Sequence, residues 1–364
     1  MRNQKVVVAM SGGVDSSVAA CLLHEQGYDI MGLFMRVGAA EPPTNDGGGR
    51  SHQGCCSASD ASDARFVAGM LGIPFFALNF ERDFDALIDY FVDEYARART
   101  PNPCVVCNQR FKFGKILDYA DAVAARYVAT GHYARIDRRN GHPVLGRGAD
   151  PQKDQTYVLF GLDRDRLDRI LFPLGHLTKD EVRHHARRFG LPNADKPDSV
   201  EICFVPDRNY ARLVEQRRPD AFRQGNVLDR GGNTVATHRG LPRYTIGQRR
   251  GLGIAAGQPV YVTRLDAAAN TVTIGPREDL LQSELLAENV NLLVGPCDDT
   301  FRADVKIRYL HRPAPATVTL GLDRTARVTF DEPQAAITPG QAAVFYDRDV
   351  VIGGGWIASP PDAH

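Results

Sequence analysis

The stretch Lys5-Val6-Val7-Val8-Ala9-Met10 followed by Ser11-Gly12-Gly13-Val14-Asp15-Ser16-Ser17 decides the fold. Its first half is a short β-branched apolar run, and Ser16 to Gln26 carries Val18, Ala19, Leu22 and Leu23 at helical spacing. Strand, glycine turn and helix therefore follow one another directly. The glycines let the backbone turn tightly with its N–H groups aimed inward, and the helix behind offers a positive N-terminus to an anion. Hydroxyls of Ser11, Ser16 and Ser17 add neutral donors, while Asp15 is suited to hold Mg²⁺ or to position donors. Gly-x-x-x-x-Gly-Lys-Ser/Thr occurs nowhere in the chain, so this phosphate loop is not of the Walker kind.

Working outward, Asp29 to Met35 reads as a second strand, Ser57 to Leu71 as a helix and Pro74 to Asn79 as a strand. Phe84 to Arg97 and Lys112 to Arg126 then read as helices, and Tyr127 to Thr130 as a short strand. Such alternation predicts an α/β domain with a parallel sheet covered on both faces, its ligands at the carboxyl ends of the strands. Gly38 to Gly54 is too polar and glycine-rich for an ordinary connection, and reads equally as a substrate-ordered loop or a tolerated insertion. From Gly225 onward short alternating runs separated by Gly, Pro and Asp turns read as all-β. The expected domains are 1–206, an α/β catalytic unit; 207–276, a small β-rich domain; and 277–364, a β-barrel.

The chain has 364 residues and balances 44 Lys+Arg against 44 Asp+Glu, which excludes a globally basic nucleic-acid coat. A local excess survives the averaging: between Ala96 and Lys115 lie Arg97, Arg99, Arg110, Lys112 and Lys115 with no acid. No apolar run approaches the ~18 residues needed to span a bilayer. The basic start and Val6–Met10 run are too short for a signal peptide, so a cytoplasmic protein without a membrane partner is expected. Seven cysteines in such a chain do not suggest a disulfide framework. Cys21 and Cys297 read as small buried hydrophobes, whereas Cys55-Cys56, Cys104-x-x-Cys107 and Cys203 carry chemical interest. Pro103 suits a first helical position, which would put Cys104 and Cys107 one turn apart on one helix face. A positive helix end, Arg110 and Lys112 would then favour a thiolate.

Ser-Gly-Gly-x-Asp-Ser at the first strand–helix junction resembles the PP-loop of N-type ATP pyrophosphatases, which adenylate their substrates and release pyrophosphate. Further motifs narrow the resemblance. They are Thr100-Pro101-Asn102-Pro103-Cys104-Val105-Val106-Cys107-Asn108, Ala129-Thr130-Gly131-His132-Tyr133, Lys153-Asp154-Gln155-Thr156-Tyr157 and Asp198-Ser199-Val200-Glu201-Ile202-Cys203-Phe204. Gly247-Gln248-Arg249-Arg250-Gly251-Leu252-Gly253 and Thr338-Pro339-Gly340-Gln341-Ala342-Ala343-Val344-Phe345-Tyr346 complete the set. In this order they resemble the tRNA-specific 2-thiouridylases over nearly the whole chain.

That resemblance implies an adenine nucleotide alpha hydrolase-like α/β domain followed by two β-rich domains, the last a barrel. It implies an ATP-dependent enzyme that replaces the C2 oxygen of the wobble uridine with sulfur. Ala9, Met10, Ser11, Gly12, Gly13, Val14, Asp15, Ser16, Met35 and Gly131 would contact ATP. Asn102, Pro103, Cys104, His132, Lys153, Asp154, Gln155, Arg308, Tyr309 and Gln341 would contact the tRNA anticodon loop. Cys107 would be the nucleophile and Cys203 the persulfide carrier, loaded by a cysteine desulfurase or sulfur-relay protein. The better-studied branch of the family has Asp, with an acid–base or base-contacting role, where this chain has Cys104. That departure leaves open a [4Fe–4S] cluster on Cys104, Cys107 and Cys203, its fourth iron binding sulfide. Two other readings compete: a PP-loop ligase adding ammonia or an amino acid to a small adenylated substrate, and a non-catalytic RNA-binding protein.

Overall fold

The computed structural model describes residues 3–37, 58–198, 202–205, 207, 209–254, 258–296 and 298–359. Cys55, Cys56, Cys297 and the Gly38–Gly54 stretch lie outside these. The described chain divides into two compact units.

One unit comprises 1–87, 104–208 and 349–351. The quoted stretch opens it as strand β1 (Lys5–Ala9) and helix α1 (Val14–Glu25). There follow β2 (Asp29–Arg36), α2 (Ala58–Leu71) and β3 (Phe75–Asn79). Helix α3 (Glu81–Ala96) begins in this unit and ends in the other. Then come α4 (Pro103–Val106), a π-helical segment (Cys107–Lys115), α5 (Ile116–Ala122) and β4 (Tyr127–Ala129). A hairpin of β5 (Ala134–Arg139) and β6 (His142–Arg147), strand β7 (Ile170–Leu171) and helix α6 (Lys179–Arg188) complete it. The main sheet has order β3-β2-β1-β4-β7 with every neighbouring pair parallel. Val6, Val7 and Val8 are fully buried at its centre, which is why β1 reads as an unbroken apolar run. Val14, Val18, Ala19 and Leu23 of α1 pack into the same core as Val182 and Ala186 of α6.

The strands and helices expected here exist within a few residues of their predicted ends. Three features were not anticipated: the β5–β6 hairpin, the short fifth strand β7, and α6. The expected plain helix from Lys112 to Arg126 is instead a π segment running into α5 and stopping at Ala122, where Ala124 adopts a left-handed φ of 54°.

The other unit comprises 88–103, 209–348 and 352–364. It opens with helix α7 (Tyr210–Arg217), inside a region expected to be β-rich. A four-stranded sheet follows, built from β8 (Gly225–Leu228), β9 (Thr234–His238), β10 (Tyr261–Asp266) and β11 (Thr271–Gly275) in the order β10-β11-β8-β9. Its core is small: Val227, Leu241, Tyr244, Val262, Val272 and Ile274. Strands β12 (Leu281–Leu292), β13 (Thr300–Lys306), β14 (Ala314–Leu320), β15 (Ala326–Ala335), β16 (Ala342–Asp347) and β17 (Val350–Ile357) form the expected barrel. The ladder β12-β15-β14-β13-β16-β17 closes because β17 also pairs with β12, Ala287 opposite Ile357 and Leu292 opposite Gly353. Alternate residues of β13, β14 and β15 point inward onto Phe345, so closure buries one face and removes exposed edges.

Phe345 is fully buried in the barrel core. Phe345→Ala is expected to destabilise the barrel by about 3–5 kcal/mol through lost burial and a residual cavity. Denaturant unfolding followed by the fluorescence of Trp356 on β17 checks this.

Candidate active site

At the head of α1 the N-cap is Gly13, whose lack of a side chain leaves the first-turn N–H groups uncapped. The turn is stiffened from within. Ser16 Oγ accepts from the Ser11 N–H at 3.1 Å and lies 3.2 Å from Ser11 Oγ, and Ser17 Oγ donates to the Gly13 carbonyl at 2.9 Å. Two glycines permit close approaches. Gly12 has φ +76°, and a Cβ there would sit 2.2 Å from the carbonyl oxygen of Asp60. A Cβ on Gly131 would lie 2.7 Å from the backbone of Asp15 and Ser16. The carboxyl end of β4 therefore abuts the loop, as parallel sheets with ligands at strand ends require.

The α6 side of the unit supplies a polar wall that sequence reasoning missed. Asn193 Nδ2 donates to the Gly12 carbonyl and to Ser17 Oγ, both at 3.1 Å. Lys196 Nζ donates to Asp60 and Asp63, both at 2.7 Å, and to the Gly12 carbonyl at 3.3 Å. Burial works against the Lys196 charge, but the two carboxylates outweigh it and hold its pKa above the ordinary lysine value. Lys179, 8% exposed, donates to Asp15 Oδ1 at 2.8 Å and pairs with Asp198 Oδ1 at 2.6 Å. Asp198 also takes Lys153 Nζ at 2.8 Å and Arg183 Nη2 at 3.4 Å. Burial alone would raise the Asp198 pKa; hydrogen bonds from Lys153 and Lys179 reverse that and hold it below the usual carboxylate range. Tyr133 OH donates to Asp15 Oδ1 at 2.9 Å, and burial together with that carboxylate raises the phenol pKa far above its ordinary value. A sequence signal for this wall existed: Thr178-x-x-Glu181 is a capping box, and it sets Lys179 at the first turn of α6.

The cysteine segment begins as expected, with Pro103 at the first helical position. Cys104 lies in α4 and Cys107 follows at its junction with the π segment, with Val106 between them in ordinary right-handed helical geometry. The ladder switches to π geometry at Cys107, ending with the Ile116 N–H donating to the Phe111 carbonyl. The two thiols have different surroundings, Cys104 exposed and Cys107 half-buried; Cys203 is also half-buried. A π segment inside a helix is most often found at a functional site. Here Asn108 Nδ2 reaches the Val158 carbonyl at 3.0 Å, and Phe113 packs against His132 with ring centres 5.9 Å apart. His132 is buried and its Nδ1 lies 2.7 Å from Thr130 Oγ1, next to Gly131. The Cys107 segment and the loop thus share a neighbour, the turn Thr130–His132.

The expected basic excess around the cysteines is partly neutralised by distant acids. Arg99 pairs with Glu94 at 2.8 Å, Arg97 with the same carboxylate at 3.7 Å, and Lys115 with Asp83. The other predicted residues occupy structured positions. Met35 lies on β2 opposite Leu78 of β3, and Met10 is buried at the end of β1. Asp154 accepts from Thr156 N–H and Oγ1, and Gln155 Oε1 accepts the Tyr133 N–H at 2.9 Å. In the second unit Gln341 Nε2 donates to the carbonyls of Thr100 at 3.0 Å and Pro101 at 3.3 Å, beside buried Asn102. Arg308 donates to the Ala335 carbonyl, while Tyr309 is 39% exposed with Lys306 Nζ 5.5 Å from its ring. Cys21 is a buried core residue as expected, burial pushing its thiol up to about 11.

Among the described residues, no three His, Cys, Asp or Glu side chains gather as a metal ion would require. Cys104, Cys107 and Cys203 are thus not gathered as the [4Fe–4S] cluster left open by the sequence would need. Mg²⁺ is a different case, since it is commonly held by one carboxylate together with substrate phosphates and water. Asp15 fits that role: it stands on the loop with its Oδ1 engaged by Lys179 and Tyr133.

A parallel α/β domain with an uncapped glycine turn at its first helix and two half-buried thiols defines a nucleotide-handling domain with sulfur chemistry. The comparisons with known families agree on the class. The models "tRNA methyl transferase HUP domain", "tRNA methyl transferase PRC-barrel domain" and "Aminomethyltransferase beta-barrel domain" match residues 4–207, 212–276 and 282–357. The tRNA-specific 2-thiouridylase MnmA of Geobacter metallireducens is 50% identical over 359 residues, 97% of this chain and 96% of that protein. Its namesake from Clostridium perfringens is 46% identical over 361 residues, 99% of each chain, and that of Rhodopirellula baltica 46% over 387, 98% and 97%. The chain belongs to the tRNA-specific 2-thiouridylase family. No helix among the described residues is long and apolar enough to cross a membrane.

Burial first, and then the nearby Lys112 charge, hold the His132 pKa well below the ordinary histidine value. The unfolded chain therefore takes up this proton before the folded one. The stability His132 contributes is complete above about pH 6.5 and declines as the pH falls further. NMR of histidine-labelled protein is expected to show the His132 ring neutral and unchanged from about pH 8 to about pH 6.

Proposed function

We propose that this protein replaces the C2 oxygen of the wobble uridine of tRNA with sulfur, using ATP and a cysteine persulfide. The observation that carries the reading is the Lys179 bridge. It ties Asp15 of the phosphate loop to Asp198, five residues before Cys203, in the compact unit that also holds Cys107.

The chemistry follows from what the substrate lacks. A uracil C2 oxygen is a poor leaving group; attack of that oxygen on the α-phosphorus of ATP expels pyrophosphate and makes it part of an AMP ester. The uncapped start of α1 and the lysines beside it would stabilise charge on the departing phosphates. Mg²⁺ on Asp15 and the phosphates would neutralise part of that charge. The outer sulfur of a Cys203 persulfide then attacks C2 and AMP leaves. Attack of the Cys107 thiolate on Cys203 Sγ breaks the sulfur–sulfur bond, leaving sulfur on the base and a disulfide between the cysteines. An external thiol must reduce that disulfide, and a cysteine desulfurase or relay protein must reload Cys203. Cys104, exposed in the short helix before the π segment, is a further proposed contact to the splayed base.

For the tRNA, Asn102, Pro103, His132, Lys153, Asp154, Gln155, Arg308, Tyr309 and Gln341 are the proposed contact positions. Exposed Tyr309 offers a face on which a base can stack. We propose working domains of 1–206 for catalysis, and 207–276 and 277–364 for holding tRNA, in a cytoplasmic enzyme. The module descriptions mention methyl transfer, but methyl transfer has no use for a triphosphate cradle with two thiols. A ligase acting on a small adenylated substrate has no use for Cys107 or Cys203 either.

With tRNA, ATP, Mg²⁺ and a persulfide-generating desulfurase, the protein is expected to yield tRNA retarded on mercury-containing gels. Cys107→Ser, Cys203→Ser and Asp15→Ala should each lower the rate by at least about 100-fold, as loss of a nucleophile or a phosphate-site carboxylate does. Undiminished activity in Cys107→Ser would sink the reading.

A further inference from the structure

The charges around the phosphate loop are already balanced before any nucleotide arrives. Lys153, Lys179, Arg183 and Lys196 face Asp15, Asp60, Asp63 and Asp198, and every one of these cations is within 3.4 Å of a carboxylate oxygen. A triphosphate entering this cradle must therefore compete with protein carboxylates for the same ammonium groups. The two carboxylates on Lys179 are not equally placed for that contest. Asp15 stands on the first turn of α1, favoured by the helix N-terminus, and also accepts from Tyr133 OH. Asp198 is held through three cationic side chains, Lys153, Lys179 and Arg183. A phosphate beside Lys179 both repels Asp198 and takes its partner, so the two effects act in the same direction.

We propose that Lys179 is a positioning residue that exchanges Asp198 for the triphosphate, so that nucleotide binding loosens the anchor of the chain leading to Cys203. The inference rests on the reading above only in requiring that ATP bind the loop. Its consequence is order: the sulfur-bearing residue is kept tethered until the nucleotide that activates the uridine is in place. Linkage makes the exchange reciprocal, so whatever nucleotide does to the Asp198 anchor, loss of that anchor must do to nucleotide affinity.

The test uses the full-length protein, the non-cleavable analogue α,β-methylene-ATP with Mg²⁺, and iodoacetamide. Peptide mass spectrometry reads the alkylation rate of Cys203 separately, with buried Cys21 as the unreactive control. Calorimetry measures analogue binding independently. In the wild type the bound analogue is expected to accelerate Cys203 alkylation about fivefold or more. Asp198→Asn should show the faster rate without analogue, bind the analogue more tightly by a similar factor, and gain little further on binding; Asp198→Glu should restore much of the wild-type response. A merely structural role predicts weaker binding in Asp198→Asn. Bound analogue with an unchanged or slower Cys203 rate in the wild type overturns the proposal by itself, as does weakened binding by folded Asp198→Asn. Failure of the analogue to bind at all would count against the functional reading instead.

Discussion

One ammonium group, Lys179 Nζ, stands between two carboxylates 2.8 and 2.6 Å away, and much of the catalytic unit is arranged to make that tolerable. A lysine only 8% exposed is costly to keep charged unless it is paired and hydrogen-bonded. Here the pairing joins segments far apart in the chain: the turn after β1, the start of α6 and the approach to Cys203. Removing one partner would strand the others in a partly dry site, which costs more than the pair itself contributes. The constraint therefore acts on geometry more than on stability. It requires the α6 capping box, because Thr178 and Glu181 fix where the helix starts and hence where Lys179 projects.

The loop itself obeys a different constraint, the absence of side-chain volume. Gly12 and Gly131 are the places where backbone meets backbone, one against Asp60 and the other against Asp15 and Ser16. These contacts leave the first N–H groups of α1 exposed to a ligand while Asn193 and Lys196 grip the Gly12 carbonyl from behind. Donors fixed in this way need no reorganisation when charge develops on a phosphate, which is the usual origin of electrostatic catalysis. The π segment does comparable work for sulfur. It begins at half-buried Cys107, one turn beyond exposed Cys104, and π turns of this kind are frequent at functional sites.

Much of this was legible in the sequence because it is local. A β-branched run, two glycines and a helical spacing are sufficient to place Lys5–Glu25, and alternating runs from Gly225 onward are sufficient for a barrel. Composition and order do not determine pairings across a hundred or more residues. Lys179 with Asp15, Lys196 with Asp60 and Gln341 with Thr100 are separated by 164, 136 and 241 positions, and only folding brings them together. The same non-locality defeated the count of basic residues near the cysteines, since Glu94 and Asp83 lie before the stretch counted. The π geometry escaped because its hydrogen bonds shift by one residue without changing composition, so the run from Lys112 still reads as an ordinary helix.

Several polar side chains that the family resemblance assigns to tRNA are engaged within the protein, and this bears on what such residues can do. Gln155 holds the Tyr133 N–H, Asp154 caps Thr156, and Gln341 holds the carbonyls of Thr100 and Pro101. A side-chain amide has both donor and acceptor capacity, and Gln341 spends its Nε2 on backbone while its oxygen remains a second acceptor. Such residues fix the shape of the backbone around them, and in protein–nucleic acid complexes generally it is contacts to phosphate that set register without reading sequence. Cys107 is half-buried and His132 is buried, its pKa held well below the ordinary histidine value first by burial and then by the Lys112 charge. With Nδ1 engaged by Thr130 Oγ1, the neutral His132 ring has one further nitrogen, Nε2, with which to hydrogen-bond.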